Sequence, residues 1–274
     1  RVTRPLDAKA TLSDDDPVPE EIDVYRGIFG FRNALGILMW IALKVRWDIL
    51  FYVIRLSTLQ NRPNAEAFLA VIHLAKFLRD TKRCVLRMDP TEPTINARAD
   101  GHPLQVYVDT GNGGCPVTGR TFACILITLY GMPIFFQVKR LATVSTVTTE
   151  LELMAMTKAA HEAIYANRML IFMDPGQLKI DKRQRGGAWN GPVPVHEDNR
   201  GAVLNGRPDH PVSKRLQHMP HRHFVVKQFV AEGEVKIVKI KGSENPADIG
   251  TKPIKLHGTN YNNLMRDRLG IIHD

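Results

Sequence analysis

The sequence predicts an α/β domain built on a mixed sheet and preceded by a small helical subdomain. Three observations predict it. Apolar residues recur at helical spacing through residues 24–82. From residue 103 onward, strand-like alternation takes turns with helical periodicity. Between the two, Pro90, Pro93 and Gly101, followed by Pro103, interrupt both patterns and mark a boundary over 83–102.

The elements follow in order. Residues 1–23 read as an extended linker, with Pro5, Pro17, Pro19 and the acidic run Asp14–Asp16. Tyr25–Leu50 is rich in Leu, Ile and Met and reads as helical. After the turn Asn61-Arg62-Pro63-Asn64, a second helix repeats Phe68, Ile72, Ala75 and Leu78, with Asn64 as its N-cap. Leu104, Val106 and Val108 alternate with Gln105 and Tyr107 as a strand does; Thr121–Leu129 and Ile134–Val138 follow, joined at Tyr130–Pro133. A long helix runs from about Glu150 to Met169. Val193–His196 is a fourth strand, Asn199–Leu204 a short helix, Lys214–Ala231 a helix and Glu234–Ile240 the fifth strand. Asn245-Pro246 opens a last short helix, with Asn as cap and Pro at the first helical position. Residues 253–274 are left as a tail. This order belongs to an α/β fold on a mixed sheet.

Composition narrows the partners. The chain has 274 residues, 44% of them hydrophobic, enough for one large domain or a medium one with a smaller companion. Its net charge of +9 favours a polyanion, nucleic acid first. Cys84, Cys115 and Cys124 have no CxxC spacing and suit the reduced thiols of an intracellular protein. The longest apolar stretch, Gly36–Ile54, carries Lys44, Arg46 and Asp48, which a membrane span would not tolerate cheaply. The first residue is Arg, so the chain is expected to start inside something longer or to be processed.

Four acids stand at element ends: Asp109 closing the first strand, Glu152 early in the long helix, Asp198 after the fourth strand and Asp248 in the last short helix. Carboxylates converging in this way hold two Mg²⁺ ions roughly 4 Å apart and hydrolyse phosphodiesters. Each acid also has a structural reading. Thr149-x-x-Glu152 forms a capping box, Asp198 suits an N-cap, and Asp248 favours a helix dipole. His210, His218, His221 and His223 suggest zinc, but no cysteine lies near them, and packing or phosphate contact fits them better.

Order and context separate these readings. Tyr25-Arg26 with Gly30, Gly36–Trp40, Arg46-Trp47-Asp48-Ile49 and Phe77–Lys82 resemble the stretch between polymerase and nuclease in copia-type LTR retrotransposon Pol polyproteins. Trp47 stands where that family has Pro. Val106-Tyr107-Val108-Asp109, Thr148–Ala155, Asp198-Asn199 with Ala202, the run His210, Lys214, His218, His223, Phe224, and Ala247-Asp248-Ile249 with Thr251-Lys252 resemble its ribonuclease H region, and Leu269-Gly270 its close.

The resemblance implies an RNase H-like mixed five-stranded sheet over 103–252, after a thumb- or connection-like region over 24–102. It implies Asp109, Glu152, Asp198 and Asp248 as catalytic residues and ligands of two Mg²⁺ (Mn²⁺ as a substitute), with Glu150 in reserve for Glu152. The substrate implied is an RNA–DNA hybrid or RNA, and the partners are a polymerase domain or a larger ribonucleoprotein; the positive charge of Arg120, Lys139, Arg140, Lys214 and Arg215 is expected to hold the nucleic-acid backbones. The setting expected is intracellular, a cytoplasmic particle or the nucleus in the case of an active element. One departure stands out: where the family has an acid and a Trp after its first Asp, this chain has Thr110-Gly111-Asn112-Gly113-Gly114. Asp109-Thr110-Gly111 is also an aspartic-protease signature, but the helices contradict that fold. The remaining alternative is an idle domesticated relic serving as a structural or RNA-binding subunit.

Overall fold

The computed structural model describes residues 30–88, 102–111, 118–145, 147–173, 191–255 and 258–272, with Pro5 and Cys115 besides. The rest of the linker expected over 1–23, and loop residues Asn112–Gly114, lie outside the described residues.

Helices come first: α1 (Phe31–Lys44), a 3₁₀ turn (Trp47–Ile49), α2 (Leu50–Ser57) and α3 (Ala65–Asp80). Asn64 caps α3, its side-chain oxygen accepting the Ala67 N–H at 2.9 Å. A short β1 (Val85–Leu86) precedes β2 (Leu104–Thr110), β3 (Phe122–Leu129) and β4 (Met132–Arg140). Then come α4 (Thr148–Met173), β5 (Val193–Glu197), α5 (Arg200–Gly206), α6 (Val225–Ala231) and β6 (Val235–Lys239). The 3₁₀ turns Gly242–Glu244 and Pro246–Gly250, α7 (Gly258–Leu269) and β7 (Ile271–Ile272) complete the order.

The main sheet has the order β4-β3-β2-β5-β6. β2, β3 and β4 are antiparallel neighbours, whereas β5 and β6 run parallel to β2. This is a mixed five-stranded α/β sheet with flanking helices, consistent with an RNase H-like fold.

Alternation along the strands gives the sheet two buried faces. Val106, Val108, Ile125 and Ile127 pack with α4, whose Ala155, Ala159 and Ala163 repeat every four residues and let the helix settle close. Tyr107, Phe122, Leu126 and Phe136 face the opposite way and join the cluster formed by α1–α3. Trp47 stacks on Phe136 with ring centroids 5.8 Å apart, and Phe51 meets Phe122 edge-on at 5.6 Å. The helical subdomain is therefore the cover of the sheet's second face.

Three stretches differ from the sequence expectation. The helical run expected over Tyr25–Leu50 is interrupted at Val45-Arg46, between α1 and the 3₁₀ turn Trp47–Ile49. The helix expected over Lys214–Ala231 is broken into 3₁₀ turns at Lys214–Leu216 and His221–Phe224 before α6. Pro220 lies between them, and a proline inside a helix removes a donor and clashes with the preceding turn. The segment expected as a tail holds α7, whose Tyr261, Met265 and Leu269 are fully buried at four-residue spacing. No helix among the described residues is long and apolar enough to cross a membrane.

Candidate active site

β2 carries Asp109 at its sixth position, opposite Cys124 of β3, and buries it to 2% exposure. Glu152 lies early in α4, and Asp198 directly follows β5. One ligand atom from each of Asp109, Glu152 and Asp198 lies within 4.8 Å of the other two. Three acids separated by 43 and 46 residues in sequence thus share one small volume.

Asp248 approaches from the closing 3₁₀ turn. Asn245 pins that turn to the sheet, its side-chain N–H donating to the Val108 carbonyl at 2.8 Å while its oxygen caps Ala247 N–H at 3.1 Å. Gly250 permits the approach, because a Cβ there would stand 2.4 Å from Cys124 Sγ. The Thr251 hydroxyl donates to Asp109 Oδ2. Lys252 Nζ lies 2.8 Å from Asp248 Oδ1 and 3.7 Å from Asp109 Oδ2, so one ammonium links the fourth acid to the first.

The glycine after Thr110 now has a physical reason. A Cβ at Gly111 would come within 2.5 Å of the Thr251 carbonyl oxygen. Gly111 is what lets Thr251 reach Asp109. Gly242 has a matching role on the other side, where a Cβ would lie 2.9 Å from Asp198 Oδ2.

Glu197 was not singled out from the sequence. It is completely buried at the end of β5; one carboxylate oxygen accepts the Asn199 N–H at 2.8 Å, and the other has no hydrogen-bond partner. One oxygen of Glu152 is likewise buried without a partner. The only signal in the sequence was a second acid directly before Asp198. Strand alternation would have aimed it away from its neighbour, so it drew no notice.

Burial and mutual repulsion set the protonation of this group. Burial raises Asp109 to about 7, Asp248 and Asp198 push the same way, and Thr251 and Lys252 oppose them. Glu152 is raised to about 9 by burial and then by Asp109. Glu197 is raised by burial and by Glu152. These are carboxyls held away from water and near like charge.

Glu150 stands elsewhere. Its Oε2 accepts from Ser145 Oγ at 2.6 Å and lies 3.4 Å from His218 Nε2. α4 begins at Thr148, which puts Thr149 inside the helix and not at its N-cap, so the capping-box geometry is not formed.

The basic residues fall in two groups. Lys139 and Arg140 are exposed at the end of β4 and pair across to Ala123 and Phe122, which places them at the same sheet end as Thr110. Arg120, half-buried, precedes β3 at that end. Lys214 and Arg215 are exposed on their 3₁₀ turn. No histidine joins a metal-binding group among the described residues.

The donor set is entirely carboxylate oxygen, which hard divalent cations prefer, and the unpartnered oxygens of Glu152 and Glu197 leave lone pairs that a cation would satisfy. The residues fit Mg²⁺ or Mn²⁺.

Over 224 residues, 82% of this chain, the sequence is 25% identical to the retrovirus-related Pol polyprotein from transposon TNT 1-94 of Nicotiana tabacum. The chain spans only 15% of that relative's length. No protein-family model matches the chain, and no solved structure matches it at a significant level. The similarity supports a retrotransposon-type Pol polyprotein region.

Proposed function

We propose that the chain is a retroelement ribonuclease H that hydrolyses the RNA strand of an RNA–DNA hybrid. The observation that carries this reading is the meeting of Asp109, Glu152 and Asp198 from three distant elements within 4.8 Å, at the sheet end that also presents Lys139 and Arg140. Asp109, Glu152 and Asp198 would hold divalent ions, with Asp248 completing the set across Lys252. Such ions supply a water nucleophile active at neutral pH and stabilise the charge on the leaving oxygen.

The protein's own groups do the positioning. Thr251 fixes the orientation of Asp109 through its hydroxyl. Glu152 and Glu197, buried near the start of α4 and at the end of β5, face the same cluster from its inner side, each with one unpartnered oxygen. Arg120, Lys139 and Arg140, with Lys214 and Arg215, would hold the phosphate backbones, so binding weakens steeply with salt. Choice of RNA over DNA follows from contact with the 2′-hydroxyl beside the scissile bond.

The test is a labelled RNA–DNA hybrid incubated with wild type and with Asp109→Asn, with Mg²⁺ present or chelated. Wild type cleaves the RNA strand only with Mg²⁺, and the variant binds the hybrid without cleaving it. Absence of cleavage by both, with hybrid or RNA binding retained, would favour the idle RNA-binding subunit. Cleavage surviving in the variant would mean that the reaction is carried elsewhere.

A further inference from the structure

We infer that Lys252 is the resident cation of the Asp109–Asp248 side of the site, so that the protein takes one divalent ion readily and a second only by displacing the Lys252 ammonium. The inference rests on the divalent-ion reading above and adds an asymmetry to it.

The two sides of the cluster are built differently. Lys252 Nζ forms ion pairs with Asp248 at 2.8 Å and with Asp109 at 3.7 Å. No ion pair among the described residues reaches the carboxylates of Glu152, Glu197 or Asp198; Lys239 Nζ donates to the Asp198 backbone carbonyl instead. Among the described residues, then, no ion pair neutralises a carboxylate of the acid-rich side, while the Asp248 side has one built in.

That counter-charge is held by the backbone. Lys252 N–H donates to the Asp248 carbonyl at 3.2 Å, which sets the two side chains one helical turn apart. The turn itself is pinned by Asn245 to β2 and lies close against Cys124 at Gly250. Asp248 and Lys252 thus arrive at the site as a pair. Yet the Lys252 side chain is 46% exposed, so it already touches solvent. An ammonium so placed is a compact point charge on a flexible stem, able to leave at modest cost when a divalent ion competes for the same oxygens.

The test uses the full chain, stripped of metal, with Mn²⁺ as the probe and free Mn²⁺ read by electron paramagnetic resonance at pH 7.5. Wild type binds one ion tightly and a second much more weakly. In Lys252→Met the second ion binds roughly tenfold more tightly, the low end of what removing a unit charge a few ångströms away is worth in a partly wetted site. Lys252→Gln repeats this result should the Met variant fold poorly, and Lys252→Arg, which keeps the charge, titrates more nearly as wild type. Asp248→Asn removes the second ion while sparing the first. Two equally tight ions in wild type, or neutral variants whose second ion is unchanged or weakened, would overturn the inference. Equal Mn²⁺ binding by wild type and Asp109→Asn would overturn the divalent-ion reading itself and this inference with it.

Discussion

The chain buries carboxylates in two places and treats them in opposite ways. Asp48, 1% exposed, receives both arms of Arg46, at 3.0 Å and 2.8 Å, and lies 3.4 Å from the Tyr261 hydroxyl. Arg46 also donates to the Thr81 carbonyl and hydroxyl, and its guanidinium lies 5.1 Å from the centre of the Phe77 ring. At the other place Asp109, Glu152 and Glu197 are buried beside one another, and two of their oxygens have no donor. A protein that matches a buried acid so fully in one region has not run out of means in the other. The first arrangement joins α1, α3 and α7; the second leaves room for a cation supplied from outside.

The largest effect that separates the two regions is catalytic. Asp109→Asn lowers Mg²⁺-dependent hybrid cleavage by about a thousandfold or more, since even the outer partners of metal ligands are commonly worth 10–100-fold. Its metal-free stability stays the same or rises, because a crowded like charge is removed. Asp48→Ala does the reverse: denaturant melts show a loss of about 3–5 kcal/mol, the usual consequence of leaving a buried partner charge uncompensated. Replacing Arg46 and Asp48 together by apolar residues of similar volume restores most of that loss. Equal stability losses in both single variants would erase the contrast.

A smaller effect appears in pH. Asp109 and Glu152 hold their protons to about 7 and about 9 in the folded chain, above the ordinary values of 3.8 and 4.5. Folded acids of raised pKa bind more protons than the unfolded chain, so their contribution is complete below pH 4 and is lost as pH rises through about 7 and then about 9. Metal-free protein therefore melts at progressively lower temperature from pH 5 to pH 9, and Glu152→Gln flattens the upper part of that decline. Melts of both proteins in a chelating buffer check this, and a flat wild-type profile would refute it.

The smallest effect concerns Gly242. An added methyl would stand 2.9 Å from Asp198 Oδ2 and must displace it. Gly242→Ala reduces cleavage about tenfold, short of the hundredfold that a full ångström of misplacement costs, while its melting temperature stays within a few degrees. Single-turnover kinetics on the hybrid measure this.

Much of this arrangement was legible in the sequence, for identifiable reasons. Strict alternation at Leu104–Val108 and the four-residue spacing in α4 are direct outputs of strand and helix geometry, so the sheet and its main helix were readable. Asp109, Glu152 and Asp198 were visible as acids at element ends. The parts that were not legible depended on long-range contact. α7 has a polar composition, and its buried Tyr261 makes sense only beside Phe77 and Asp48. Pro220 was the available sign that Lys214–Ala231 would not run as one helix. Trp47 had no assignable role until Phe136 was found stacked on it. Gly111, Gly242 and Gly250 are needed because of the atoms that face them, and Lys252 matters because Asp109, 143 residues earlier, is its neighbour.

The central claim is that the buried acids are kept for a cation, and thermal unfolding at pH 8 with and without Mg²⁺ tests it most directly. An ion bound only by the folded state at a hundred times its dissociation constant adds about 2.7 kcal/mol, which for a chain of this size raises the melting temperature by about 5 °C or more. The account predicts that rise in wild type, a smaller rise at pH 5.5 where protons compete for the carboxylates, and none in Asp109→Asn. No rise at pH 8, or the same rise in Asp109→Asn, would contradict it.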